Sequence, residues 1–176
     1  GYDYTRALEA TETFFWTFCD DYLELVKERA YGGRGEAEAA SAHGALALAL
    51  SVQLRLFAPF LPFASEEVWS WWQEGSVHPA SWPSSDQLRA DAAGVDPMVL
   101  TIAGAARSEL RRTKTEAKRS LRTAFVDATL TDTEQRVAQL ELVSDDVAEA
   151  GVAATLTLTV GEALSVSAEL EPEPAD

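Results

Sequence analysis

The sequence is poor in residues that staple a chain or hold a metal. Its 176 residues include one cysteine, Cys19, and two histidines, His43 and His78. One thiol excludes an internal disulfide, and one Cys with two His falls short of a zinc-type cluster. Long apolar runs are missing too. No window reaches the roughly 18 apolar residues that a membrane span needs, and no charged segment followed by an apolar run opens the chain. These absences suit a reducing cytoplasm and no membrane partner. Basic charge is scarce: 14 Lys and Arg stand against 29 Asp and Glu, a net charge of −15. Taken alone, that balance argues against a polyanionic partner. The chain starts Gly-Tyr-Asp with no initiator Met and reads as a piece of something longer.

What is present is a folding sequence. Hydrophobic residues make up 47% and there are five tryptophans, enough to build a core without staples. The length suits one domain, or one domain with an appendage. The charge is uneven. Arg107, Arg111, Arg112, Lys114, Lys118, Arg119 and Arg122 are opposed locally only by Glu109 and Glu116. That gives a +5 segment on a body carrying the remaining −20.

Apolar spacing predicts one long helix over 2–31, with Tyr4, Leu8, Thr11, Phe15, Phe18, Tyr22 and Leu25 recurring at three and four, and Gly32-Gly33 ending it. Over 36–57, Leu46, Leu48, Leu50, Val52, Leu54 and Leu56 alternate as in a strand. The alanines between them favour a helix buried on two sides. Pro59 and Pro62 then form a corner plugged by Phe57, Phe60 and Phe63. Ser65 is the expected N-cap of a third helix, with Val68, Trp69 and Trp72 inward and Gly75 closing it. A Pro/Ser-rich connection follows, with Trp82 as a plug. A fourth helix is expected from Asp96-Pro97, Asp as N-cap, to about Lys118.

Beyond it, 121–131 reads as a strand. Asp132 with Gln135 gives a capping-box-like helix start, and Ser144 caps a short turn. "VAATLTLTV" and "ALSVSAEL" around Gly161-Glu162 read as a hairpin. The expected fold is mainly α: an antiparallel helical bundle over 1–120, a small α/β subdomain with a β-hairpin over 121–170, and an acidic tail over 171–176.

Catalytic patterns are absent. "YGGRGEA" follows a helix and lacks the Lys-Ser/Thr of a phosphate loop. Neither histidine has a nucleophile placed by spacing. Asp20 and Asp21 are neighbours and point about 100° apart on a helix. The basic segment is more informative. Arg107, Arg111, Lys114 and Lys118 are spaced 4, 3 and 4 on one helical face, with Arg112 and Arg119 on an adjacent one. Such a ridge suits a phosphate backbone. It equally suits a solvated face completing the helix dipole, or one meeting an acidic protein surface. Trp16, Phe18, Tyr31, Trp71 and Trp82 could stack on unpaired bases, although Phe18 lies in the apolar stripe and counts first as core.

Four segments in order resemble one family. "LEATETFFWTFCDDYLELVKERAYG" resembles the first helix of the anticodon-binding bundle of bacterial, actinobacterial-like valyl-tRNA synthetases. "LRLFAPFLPFASEEVW" is similar to their Pro-Phe corner, "SVHPASWP" to the segment that follows, and "ARSELRRTKTEAKRSLRT" to their basic segment. The resemblance covers most of 4–123. It implies a parent class I ligase that joins valine to tRNA using ATP in its catalytic domain, whose H-I-G-H and K-M-S-K-S signatures do not occur here. It implies a non-catalytic, cofactor-free fragment that binds the anticodon stem-loop of valine tRNA and docks on that catalytic domain. By likeness, Phe18 approaches the anticodon bases, while Lys27 and Arg29 approach the loop's phosphates. The competing reading is a structural or protein-interaction module that kept the helices without the RNA.

Overall fold

In the computed structural model, which describes residues 3–172, the first helix is interrupted in its middle. α1 (Tyr4–Thr17) passes into a five-residue π turn (Phe18–Tyr22) and continues as α2 (Leu23–Ala30). Asp3 caps the start through the Arg6 amide at 3.2 Å, and Gly32, at φ +84°, turns the chain out of the end. α3 (Glu36–Phe57) is helical despite its alternating leucines. Its apolar face is used unevenly: Val52 and Leu54 are buried, whereas Leu48 and Leu50 stay on the surface. By length and a mean hydropathy of 1.2, α3 is the one described helix that would suit a bilayer. Here it lies against α1, α2 and α4.

The proline corner is real but differently built. α4 (Pro62–Ser70) starts at Pro62, with Leu61 at the cap position. Proline at the first helical position brings a preset φ and gives up an amide that would be unpaired there anyway. Ser65 therefore lies inside the helix, buried, rather than capping it. Phe57 meets Phe15 edge-on at 5.6 Å, but Phe63 is 89% exposed and plugs nothing. α4 ends five residues before Gly75. Glu66 then anchors the following loop, accepting from Ser76 Oγ at 2.9 Å and the Val77 amide at 3.0 Å. Val77 joins Leu54, Ala58 and Trp69 in a small core, while Trp82 is 62% exposed rather than a plug. The connection also holds a helix the spacing did not suggest, α5 (Ser85–Asp91), capped by Ser84.

α6 (Met98–Glu116) starts one residue later than expected, with Pro97 rather than Asp96 at the cap position. Asp96 Oδ1 accepts from the Met98 amide at 2.9 Å. It ends two residues early, and Lys118 takes a left-handed φ of +55°. β1 (Phe125–Asp132), α7 (Glu134–Glu141), α8 (Ser144–Gly151), β2 (Leu156–Val160) and β3 (Ser165–Leu170) complete the chain. Asp132 ends β1 and holds the Thr133 amide and Arg136, so the expected cap falls one residue off.

The hairpin expectation is wrong. The strand order is β2-β1-β3, with β1 parallel to β2 (Leu130 opposite Leu158) and antiparallel to β3 (Leu130 opposite Val166). β1 is buried at Phe125, Ala128, Leu130 and Asp132 and needs a partner on each edge. α7 and α8 supply the crossover that a parallel pair requires. The chain then passes β1 to reach its other edge, and Gly161 is needed there because any Cβ would run into Thr131. The main core joins Leu25 of α2 and Ala106 and Leu110 of α6 to Phe125, Leu130 and Val147, so the sheet packs onto the helices. Of the expected acidic tail, residues 173–176 lie outside the described part.

Candidate nucleic-acid interface

The π turn carries an aromatic ladder. Phe14, Phe18 and Tyr22 follow one another at four-residue steps. Phe18 stacks on Tyr22 at 5.3 Å and 24°, and lies 6.3 Å from Phe14. Phe14 is exposed and Phe18 half-buried, so the ladder presents ring surface to solvent, the feature that stacking on an unpaired base requires. Burial pushes the Tyr22 phenol up, with Arg29 opposing. Trp16, Tyr31, Trp71 and Trp82 are exposed elsewhere.

The regular basic spacing does not give one exposed ridge. Arg107 is buried; its Nη1 donates to the Asp20 main-chain oxygen at 2.6 Å, and its guanidinium lies 3.9 Å from Asp21 and 3.8 Å from Glu24. Burial, then Arg111, lowers its pKa. Lys114 is 2% exposed. Its ammonium donates to the Gly151 oxygen at 2.7 Å and the Leu121 oxygen at 3.2 Å, and sits 4.5 Å from the centre of the Phe125 ring. These two cations serve the interior: the π turn and α2 take up Arg107, and the Gly151 oxygen and the Phe125 ring take up Lys114.

Others are engaged at the surface. Arg112 pairs with Glu109 and lies 3.8 Å from Glu116. Arg119 donates to the Glu171 main-chain oxygen at 2.7 Å. Arg29 reaches Asp146 at 3.0 Å and Glu38 at 3.6 Å. Lys118 is exposed beyond the end of α6.

A cleft of about 400 Å³ opens between α2, α6, α8 and the 117–124 loop. Lys27, Arg111 and Arg122 supply its exposed cations, and Glu24, Glu28 and Glu149 part of its walls. Lys27 pairs with Glu24 at 3.4 Å across exposed surface, a contact too solvated to hold the lysine firmly. Arg122 belongs to the basic segment but not to its helical faces, so spacing gave no reason to single it out; only the fold of the loop brings it to Lys27. Among the described residues no group of His, Cys, Asp and Glu converges as a metal site would.

Residues 1–128 match the model of the family described as the anticodon-binding domain of tRNA ligase. The chain belongs to that family. This anticodon-binding domain is 53% identical over 166 residues to a valine–tRNA ligase of Salinispora arenicola, covering 86% of this chain and 19% of the relative. It is 49% identical over 175 residues to a valine–tRNA ligase of Thermobifida fusca, and 49% identical over 177 residues to one of Cutibacterium acnes. Those two alignments cover 99% of this chain and 20% of each relative. The anticodon-binding domain thus spans about a fifth of the length of the curated relatives it matches. The likeness runs past residue 128, through the sheet.

Proposed function

We propose that this chain is the tRNA-holding part of a valine–tRNA ligase, that it grips the anticodon stem-loop of valine tRNA, and that it performs no chemistry itself. The observation that carries this reading is near-50% identity to valine–tRNA ligases along 99% of the chain. In this reading residues 1–120 form the antiparallel helical bundle of a class I synthetase, and 121–170 brace it. The Phe14–Phe18–Tyr22 ladder offers Phe18 to anticodon bases. Lys27, Arg111 and Arg122 around the cleft, with Lys118 beyond it, meet the backbone phosphates. Arg29, Arg107, Lys114 and Arg119 are held by protein partners and make no phosphate contact in this reading.

ATP and valine belong to the parent's catalytic domain, this part takes no cofactor, and the whole works in the cytoplasm. The apolar groove between α1 and the proline corner, lined by Tyr4, Phe14, Leu56, Phe60 and Trp82, is the face we assign to that catalytic domain. An exposed apolar surface of this kind marks a docking site more often than a solvated one.

A mobility-shift titration with valine tRNA, intact or with altered anticodon bases, at two salt concentrations tests the reading. Binding at low salt, steep weakening with salt and weaker binding of the altered tRNA are expected. Equal affinity for both tRNAs overturns base reading. No shift at any salt favours the second reading, a protein-interaction module, which the net charge of −15 supports.

A further inference from the structure

We infer that Arg107, seated beside Gly104, is a positioning residue that locks the π turn Phe18–Tyr22 and so sets the pose in which Phe18 meets a base. The inference rests on the proposed function for its second half only. The first half stands on geometry. A single π turn inside an α-helix is rare and recurs at functional sites. Here α6 holds it from outside the helix.

The Arg107 guanidinium reaches across to the turn at three points: the Asp20 main-chain oxygen at 2.6 Å, Asp21 Oδ1 at 3.9 Å and, just past the turn, Glu24 Oε2 at 3.8 Å. The Asp20 carbonyl is the acceptor that an uninterrupted α-helix would aim at the Glu24 amide. A charged donor on that oxygen competes with the Glu24 amide for it. The Leu23 amide, bonded to Phe18 O, closes the five-residue turn.

Gly104, three residues before Arg107 on the same side of α6, lets the turn come close. A Cβ there would stand 3.1 Å from Asp21 Cγ and 3.2 Å from its Oδ2. Glycine inside a helix is unfavourable by itself, and here the close approach gives it a purpose. The turn in turn fixes the ladder. Phe18 and Tyr22 are its first and last residues, and their rings stack across it at 24°. Returned to α-helical register, the two rings would rotate relative to each other. The sequence suggests Arg107 as a phosphate contact; buried with its charge spent on the turn, it acts on RNA through Phe18.

The turn contains its own reporter. Cys19 is the chain's one thiol, half-buried, and burial followed by Asp20 pushes it above its ordinary range. A thiol so placed reacts slowly with a disulfide reagent while the turn is closed.

Arg107→Gln, Arg107→Lys and Gly104→Ala are compared with the native chain in two measurements. The first is the rate of Cys19 with Ellman's reagent, without RNA. The second is the ratio of affinities for valine anticodon stem-loops with native and altered bases. In Arg107→Gln the Cys19 rate should rise, and the discrimination ratio should fall by about tenfold, the scale of one hydrogen bond to a charged group. Affinity for the altered loop should stay within about twofold, as expected when no phosphate contact is removed. Arg107→Lys should recover part of both. Gly104→Ala, which keeps the arginine, should shift both the same way if Arg107→Gln does not fold.

An unchanged Cys19 rate in all three variants overturns the lock. A raised rate with undiminished discrimination overturns its role in base reading while leaving the proposed function intact. A native chain that does not discriminate removes that role together with the proposed base reading, and the lock then stands or falls on the thiol rate.

Discussion

Arg29 of α2 and Asp146 of α8 lie 3.0 Å apart, Nη2 to Oδ2, and join the first helix to the C-terminal α/β part. Arg34 grips the same carboxylate from the other side and reaches Asp145 at 3.3 Å and Glu149 at 3.7 Å. Asp146 is buried, and that burial pushes its carboxyl up against the pull of the two arginines. The pair therefore depends on its geometry more than on bare attraction.

Removing one member of such a cluster leaves the others charged and poorly paired. Asp146→Ala should destabilise the chain by about 3 kcal/mol, the scale for breaking a buried ion pair. Urea unfolding followed by tryptophan fluorescence measures it. A loss below about 0.5 kcal/mol, the scatter of ordinary surface substitutions, would show that the cluster is solvated and idle.

Lys114 offers a second interior test. Lys114→Met keeps the stem but leaves the Gly151 and Leu121 oxygens without their donor, a loss of about 1–3 kcal/mol. The pH dependence has a definite sign. Burial holds the ammonium below its ordinary value of 10.5, so at alkaline pH the unfolded chain binds more protons than the folded one. Stability then rises with pH between the folded and ordinary values. The stability of the native chain relative to Lys114→Met should therefore increase as pH climbs toward 10.5, and a flat difference would place the amine in contact with water.

These two residues show where the sequence stops being legible. Helix and strand periods come from neighbours within a few positions, which is why α3, α6 and β1 could be placed. Lys114 could not, because its ligand Gly151 lies 37 residues away. At a spacing of 4, 3 and 4 a buried lysine looks the same as a solvated one. The π turn was hidden for a similar reason: Phe18 and Tyr22 fit a 3.6-residue stripe as well as they fit the turn. The hairpin failed because the short link at Gly161-Glu162 is a local signal, whereas β1's need for two partners is not. On the candidate site, Phe18 and the basic segment were readable as types of residue. Which cations face solvent was decided by what packs on α6, the π turn at Arg107 and the C-terminal α/β part at Lys114.

Val152 is the one β-branched residue among the described residues held in the left-handed region, at φ +54° and ψ +53°, where it follows α8. That conformation costs a non-glycine residue roughly 1–2 kcal/mol. The position is fixed, since the Val152 oxygen accepts from the Phe125 amide at 2.8 Å. Its side chain is 40% exposed, so only part of a valine's burial is lost on substitution. Val152→Gly should stabilise the chain by at most about 1 kcal/mol, after that burial and glycine's own entropy are subtracted from the relieved strain. The midpoint of urea unfolding should move up, and a downward shift would mean that the valine packs better than its exposure suggests.

The cleft cations can be separated from the structural ones by salt. Lys27, Arg111 and Arg122 line the same opening, and among the described contacts only Lys27 has an ion-pair partner, the exposed Glu24. Replacing all three with alanine should leave the unfolding midpoint nearly unchanged, because exposed charges contribute about 0–1 kcal/mol each. If they meet phosphates, the slope of log affinity for valine tRNA against log salt should become shallower by about 2, at roughly 0.7–0.9 per contact. Arg112→Ala is the matched comparison: its guanidinium is held by Glu109 and Glu116 on α6, so its removal should leave the slope where it was. An undiminished slope in the triple variant would move the phosphate path off this cleft. A loss from Arg112→Ala of about a third of that from the triple variant, charge for charge, would mean that the tRNA senses only the net charge of the domain.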